Sequence, residues 1–211
     1  MEKKTKIAVL GGGGRSGKFL VSELLEKRHP IKLLLRNPAN FTIKHKMLEI
    51  IQGDALDSYA IDYLLGGCYA VISTIGQRKD EPLVSARATE NIVHAMETHN
   101  IGRYIALAGL NIDTPFDKKG AQTLAATVWM KSTFPLIQED RQKAYDILVT
   151  SDIDWSLVRV PMIEFTKRKG NVKVSTEDCP GTTITAGDIA DFIVSQLQNP
   201  RYIRQSPFIS N

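Results

Sequence analysis

Short apolar runs alternate with amphipathic stretches along the whole chain. The runs end at Gly, Pro or Asp, as buried strands do, and the stretches between them repeat apolar residues at helical spacing. This alternation predicts βαβ units, and hence an α/β fold with a doubly wound, mostly parallel sheet between two helical layers. The predicted strands are residues 6–10, 31–35, 48–51, 70–73, 104–108 and 155–160, with a short one near 172, and the predicted helices are 15–27, 58–65, 83–99, 139–150 and 188–197.

The pattern is least regular between residues 109 and 138, where Pro115 and Pro135 interrupt it. A long connection of this kind is usually functional, so we expect a lid-like segment that holds a helix near 120–130. Trp129 and Phe134 have two interpretations, an aromatic wall over a ligand or the packing of a lid helix onto the body.

We expect residues 1–211 to form one domain, with a small substrate-side extension at about 161–185.

Glycines follow the first apolar run at once, with the spacing GxxGxxG at Gly11, Gly14 and Gly17. A buried strand that enters a glycine turn and then a helix brings backbone N–H groups against a dinucleotide pyrophosphate. An ordinary strand-to-helix turn is the alternative for the glycines alone. Arg15 reaches a phosphate or faces water, and Ser16 caps the helix, bonds a phosphate oxygen, or does both.

A charged residue ends the second predicted strand, Arg36, nineteen positions after Gly17. A carboxylate there would accept from a ribose 2′-OH and select NAD, whereas a guanidinium forks around a 2′-phosphate and selects NADP. Arg36 therefore favours NADP(H) over NAD(H), and a solvated arginine is the alternative. Asp54, after the third strand, borders the adenine pocket or closes an Asx turn.

Six segments in this order and spacing resemble the atypical short-chain dehydrogenase/reductase superfamily: GGGGRSGKFLVSELL, LLLRNP, IIQGDALD, AVISTIG, ATENIVHAM and WSLVRVP. They are most similar to its NAD(P)H-binding, NmrA-like branch, which includes biliverdin and flavin reductases. The resemblance covers nearly the whole chain. It implies a three-layer Rossmann fold with NADP at the carboxyl ends of the strands.

The resemblance also implies which residues hold the cofactor. By the matching motifs, the pyrophosphate would lie against Gly11, Gly14, Arg15, Ser16 and Gly17, and the adenosine phosphate would lie against Arg36. The adenine side would lie against Asp54 and Ala55, and the nicotinamide-side ribose against Thr74, Ile75 and Gly76.

The proton relay of many members of this superfamily, a Tyr with a Lys four residues later and a Ser, has no counterpart here. No Tyr has a Lys at that spacing, and the end of the fifth strand reads Ala108-Gly109 where relatives commonly have Ser-Ser. A reductase remains possible without them, because hydride comes from the cofactor and the protein mainly positions the reactants. We assign no catalytic residue. Substrate-pocket candidates follow from the strand ends: Gln77, Arg78, Asn111, Arg159 and Pro161, with Arg159 equally suited to bracing the backbone.

Charge, cysteine content and histidine spacing indicate which classes of ligand and which cellular location to expect. The net charge of +4 is scattered among acidic residues, which favours a small anion over nucleic acid. Cys68 and Cys179 have no CxxC spacing and no histidine pair has metal-ligand spacing, so we expect free thiols, a cytoplasmic location and no metal. The N-terminal apolar run is too short for a signal or a membrane span. Monomer and dimer both stay open.

Three functions fit these observations. The first is an NADPH-dependent reductase of a flat, conjugated small molecule such as a flavin or a quinone. The second is a non-catalytic NADP sensor of the NmrA type that binds a protein partner. A sugar-nucleotide epimerase fits less well, because only about fifty residues follow the sixth strand, too few for a substrate domain.

Overall fold

A single large β-sheet with helices on both faces organises the chain. The computed structural model describes residues 5–77 and 83–211. The strands are β1 (Lys6–Leu10), β2 (Ile31–Leu35), β3 (Leu48–Gln52), β4 (Cys68–Ser73), β5 (Arg103–Gly109), β6 (Asp154–Val160), β7 (Met162–Glu164), β8 (Lys173–Ser175), β9 (Thr183–Thr185) and β10 (Phe208–Ser210), and the helices are α1 (Gly17–Glu26), α2 (Ser58–Leu65), α3 (Ser85–Thr98), α4 (Ala121–Thr133), α5 (Pro135–Thr150) and α6 (Ala186–Ser195).

The eight strands of the main sheet lie in the order β3-β2-β1-β4-β5-β6-β10-β8. Neighbouring strands are parallel except for the last pair, in which β8 runs antiparallel to β10. The strand order reverses between β1 and β4, and ligands of open α/β sheets bind outside the carboxyl ends of the strands at such a point. A second sheet pairs β7 with β9.

Two apolar cores fill the space between sheet and helices. One face of the sheet packs against α2, α3 and α5, and its buried residues include Leu64, Ile92 and Leu148. The other face packs against α1 and α6, through residues such as Leu24 and Ile193. The fold is therefore the three-layer Rossmann-like α/β domain that the sequence predicts. No helix in the described ranges combines the length and the apolar character that crossing a membrane requires.

The six main strands and the helices between them are confirmed, with ends that shift by a few residues. The helix predicted near 120–130 is confirmed as α4. The largest difference is that the predicted irregular segment 109–138 also contains the start of α5. Pro135 misled the prediction because proline occupies the first turn of α5, where its missing N–H costs nothing. β7, β9 and β10 were not predicted, since strands of three residues are too short to show a period.

Candidate functional site

The glycine turn after β1 packs directly against the end of β4. Gly11 has φ +75°, and a Cβ built there would lie 2.5 Å from the carbonyl carbon of Thr74. A Cβ on Gly17 would collide with the carbonyl oxygen of Gly11 and lie 2.6 Å from the Cα of Gly12. Only glycine permits these approaches, so the motif brings the start of α1 close to the carboxyl ends of β1 and β4.

No side chain caps the N-terminus of α1. The Lys18 and Phe19 amides donate to the carbonyl oxygens of Gly14 and Ser16, whereas the amides of Arg15, Ser16 and Gly17 have no acceptor in the described part of the chain. Ser16 precedes the helix and makes no side-chain capping bond, so its hydroxyl is free for a ligand. The first amides of a helix lack internal acceptors and carry positive potential, and together they bind anions. The Arg15 guanidinium lies over the Phe165 ring, 3.7 Å from its centroid. Phe165 follows β7, so the C-terminal extension orients a cation beside the turn.

An open groove surrounds this turn, and we call it the glycine cleft. Its volume is about 820 Å³, within the usual range of ligand sites. Arg36 and Asn37 line it beyond β2, and Thr74 to Gln77 line it beyond β4, on the opposite side of β1. Its lining includes Gly11, Gly13, Gly14, Arg15, Ser16, Gly17, Arg36, Asn37, Gly53, Ala55, Thr74, Ile75, Gly76, Gln77 and Phe165.

The cleft contains ten of the eleven residues predicted to bind a cofactor. The exception is Asp54, whose carboxylate accepts from the Leu56 amide at 3.0 Å and so closes an Asx turn. Gly53 and Ala55 line the cleft on either side of it. The end of the cleft predicted for the adenine is therefore bordered by the neighbours of Asp54.

A second cavity, which we call the apolar cavity, opens from the nicotinamide end predicted for the cleft. Its volume is about 280 Å³, and Ser16, Thr74, Ile75 and Gly76 line both spaces. The remaining walls come from α3, β5, α5 and the end of β6, and most of them are apolar. They include Ala88, Ile92, Ala106, Leu107, Ile112, Ala144, Leu148, Leu157, Val160, Pro161 and Ile163.

Hydroxyl groups lie along one wall of the apolar cavity. Burial raises the pKa of Tyr104 to about 12, and hydrogen bonds with Ser73 and Thr89 oppose the rise. Thr89 in turn donates to the carbonyl oxygen of Ser85 at 2.8 Å, and the Ile75 amide donates to the Ser73 hydroxyl at 3.4 Å. This network runs from α3 to the end of β4. At such a pKa Tyr104 stays protonated at neutral pH.

Two polar residues of α5 also line the apolar cavity, Arg141 and Tyr145. Burial lowers the pKa of Arg141, with Asp140 opposing, and burial raises the pKa of Tyr145. The sequence analysis missed both residues because it searched for a lysine four residues after a tyrosine. Here the cation, Arg141, comes four residues before Tyr145. The available signal was the spacing of Arg141, Ala144, Tyr145 and Leu148, which puts all four on one helix face.

The predicted substrate-pocket residues separate into two groups. Gln77 lines the glycine cleft and Pro161 lines the apolar cavity, whereas Asn111 and Arg159 line neither space. Asn111 is buried and exchanges hydrogen bonds with Gln138. Arg78 lies outside the described residues.

Arg159 is fully buried and braces the backbone, which is the role that its motif left open beside substrate contact. Its guanidinium donates to Asp117 at 2.8 Å, to the Ile112 carbonyl at 3.0 Å and to the Ser206 carbonyl at 2.9 Å. It also stacks over Phe208, 3.5 Å from the ring centroid.

The aromatic residues of the predicted lid line neither the cleft nor the cavity. Trp129 and Phe134 contact each other edge to face, with centroids 5.7 Å apart, and both are exposed. The wall of the apolar cavity comes instead from the body of the fold.

The glycine cleft fits a dinucleotide by its own chemistry. Gly11 and Gly17 leave a backbone cradle that any side chain would fill. The amides of Arg15, Ser16 and Gly17 have no acceptor among the described residues and supply donors for a pyrophosphate. Arg36 is exposed at the far side with no ion pair among residues 5–77 and 83–211. The donor set therefore suits a ligand with several anionic groups.

Comparison with known proteins agrees with this chemistry. A family model for NAD(P)H-binding proteins matches residues 11–200. Eugenol synthase 1 from Petunia hybrida is 30% identical over 123 residues, and cinnamoyl-CoA reductase 1 from Oryza sativa is 24% identical over 114. These matches cover 54% and 49% of this chain but only 38% and 34% of the two relatives.

Solved structures match over the whole fold. A short-chain dehydrogenase/reductase from Veillonella parvula in complex with NADP superposes with a TM-score of 0.81 at 17% identity, covering 100% of this chain and 95% of its own. ChuY, an anaerobilin reductase from Escherichia coli O157:H7, superposes with a TM-score of 0.80 at 19% identity, covering 98% of this chain and 97% of its own. At these identities the likeness concerns the fold.

Proposed function

The chain belongs to the NAD(P)H-binding family of the atypical short-chain dehydrogenase/reductase superfamily, and we propose that it is an NADPH-dependent reductase of a small conjugated acceptor. The observation that carries the proposal is the junction of two spaces at Thr74, Ile75 and Gly76. One space has the donors for a dinucleotide, and the other has the apolar walls for a flat acceptor.

The cofactor, when bound, supplies a hydride, and the residues of this chain have three tasks. The glycine turn and the start of α1 would hold the pyrophosphate, and Arg36 would pair with the additional phosphate of NADP. The apolar walls exclude water and hold the acceptor beside the end of β4. The acceptor would gain two electrons and one proton as that hydride, which would leave the dinucleotide oxidised, and a second proton would come from solvent or from a hydroxyl of the cavity.

The relatives support the acceptor class. ChuY is described as an anaerobilin reductase, and eugenol synthase and cinnamoyl-CoA reductase are named for conjugated aromatic compounds. The cavity here suits such a compound, because most of its lining residues are apolar. We therefore favour flavins and quinones as first acceptors to test.

The experiment is to follow NADPH absorbance with the purified protein and a panel of flavins and quinones. We expect oxidation above the protein-free rate for at least one acceptor, and slower oxidation with NADH. The control is the same protein with NADPH and no acceptor. Calorimetric binding of NADP without turnover across the panel would contradict the reductase and favour a dinucleotide sensor.

A further inference from the structure

Arg141 lines the apolar cavity with a half-buried side chain, and the charge of the adjacent Asp140 opposes the effect of burial on its pKa. Its guanidinium makes no hydrogen bond and no ion pair with any part of the chain that the structure describes. The guanidinium lies near the end of β5, since its Nη1 is 4.0 Å from the position of a Cβ on Gly109. A cation thus lies on the wall of a largely aliphatic space.

The acidic groups around Arg141 are bound elsewhere. Asp140 accepts from the amides of Ser85 and Ala86 at 2.8 and 3.2 Å, at the start of α3. Glu139 pairs with Lys143 at 2.9 Å on the outer face of α5. Among the acids of the nearby loop, Asp113 pairs with Lys119 and Lys131, and Asp117 with Arg159.

The other arginines that the fold buries donate to internal acceptors, although the Nη2 of Arg159 is buried without one in the described part of the chain. Arg159 donates to Asp117 and to two carbonyls, and Arg103 donates to the Asp154 carbonyl, the Ser156 hydroxyl and the Gln196 carbonyl. Removing a cation from water is costly unless an acceptor replaces the water, so the half-buried Arg141 guanidinium would be stabilised by an acceptor that a ligand brings. The position of Arg141 on the cavity wall identifies where that acceptor enters.

We propose that Arg141 binds an anionic group, a carboxylate or a phosphate, carried by a molecule whose apolar body fills the apolar cavity. A guanidinium suits both groups because its planar fork makes paired hydrogen bonds with two oxygens. The inference deepens the proposed function, since it takes the cavity as the acceptor site, and it defines the acceptor class as an anionic conjugated compound.

Two matched ligand pairs test the inference by calorimetry in saturating NADP⁺, which occupies the glycine cleft. FMN and riboflavin differ by one phosphate, and a naphthoquinone propionate and its methyl ester differ by one carboxylate. We expect the wild-type protein to bind one anionic member about 10- to 100-fold more tightly than its neutral partner. The pair that shows the difference identifies the group.

The variants Arg141→Met and Arg141→Lys assign the preference to this side chain. We expect Met to abolish the preference without changing the affinity of the neutral member, and Lys to retain part of it, since it keeps the charge but not the fork. Arg87→Met removes an exposed arginine of α3 and should leave the preference unchanged. Thermal unfolding establishes that each variant is folded, and Arg141→Gln replaces the Met variant if that one is not.

Three results would overturn the inference: equal affinities within both pairs, no binding of any of the four compounds, or a preference that survives in Arg141→Met. The proposed function fails differently. If the protein oxidises NADPH but Arg141 has no effect on the preference for the anionic ligand, only the inference is contradicted. If the preference depends on Arg141 but the protein does not oxidise NADPH, only the reductase activity is contradicted. If the dinucleotide does not bind, the titrations are repeated without NADP⁺, so that the inference about Arg141 is tested separately from the proposed function.

Discussion

At the scale of single residues, we expect the preference for NADP over NAD to depend on Arg36. Its exposed guanidinium lies beyond β2 and has no ion pair within the described ranges. Arg36→Ala removes a charge-assisted contact, so we expect NADP affinity to fall by about 2 to 3 kcal/mol, or about 30- to 150-fold, while NAD affinity changes little. Calorimetry with both dinucleotides measures this. Lys44→Ala removes an exposed charge outside the cleft and serves as the control. Equal losses for NADP and NAD would contradict the assignment of Arg36.

The glycines of the turn differ in how much space surrounds them. A Cβ on Gly17 collides with backbone atoms of Gly11 and Gly12, whereas a Cβ on Gly14 meets its nearest atom, the Gly11 carbonyl oxygen, at 3.1 Å. We expect Gly17→Ala to lower the free energy of unfolding by about 3 kcal/mol, because backbone overlap cannot relax by a rotamer change. Gly14→Ala is the matched comparison, with a loss below about 1 kcal/mol. Similar denaturant midpoints for the two variants would show that the turn is not as tight as described.

At the scale of elements, α5 caps α3. Val84 precedes α3 and provides no side-chain cap, and Asp140 of α5 accepts from the first two amides of α3 instead. We expect Asp140→Ala to lower the free energy of unfolding by about 1 to 2 kcal/mol, the usual range for a lost N-cap. Urea unfolding of this variant beside Asp146→Ala, an exposed acid of the same helix, measures the difference. Equal midpoints would mean that the two bonds contribute nothing.

Elements with a clear period were predicted well, and elements defined by tertiary contacts were not. The strand β1 and the helix α1 follow from apolar spacing and from the glycines. The segment 109–138 did not, because its order depends on pairs distant in sequence. Lys119 is buried between Asp113 and Asp117, and Asp117 also pairs with Arg159 of β6. The local sequence pattern does not indicate such pairs, because the paired residues are distant in sequence.

The site shows the same division. The residues that line the glycine cleft were found because a turn, a strand end and a charge at fixed spacing define them. Arg141 was not found, because its significance lies in the absence of a partner and in a cavity that four elements build together. The spacing from Arg141 to Leu148 indicates a shared face but does not reveal what that face borders.

At the scale of the whole molecule, the cleft joins distant parts of the chain, from β1 and β2 to Phe165 after β7. A ligand held by all of them binds the folded state only, so binding stabilises the fold. NADP at 100 times its dissociation constant should add about 2.7 kcal/mol, which raises the Tm of a domain of this size by about 5 to 10 °C. A thermal scan with and without NADP measures the shift.

The same thermal scan also measures the effect of Arg36 on the stability of the whole domain. At the same NADP concentration, a 30- to 150-fold weaker Arg36→Ala should gain only about 0.3 to 0.9 kcal/mol, so its Tm should rise by about 1 to 3 °C. NAD should stabilise the wild type and the variant alike, because neither complex contains the additional phosphate. If NADP raises both Tm values equally, Arg36 does not contact that phosphate. If neither dinucleotide raises the Tm at millimolar concentration, the cleft does not bind them.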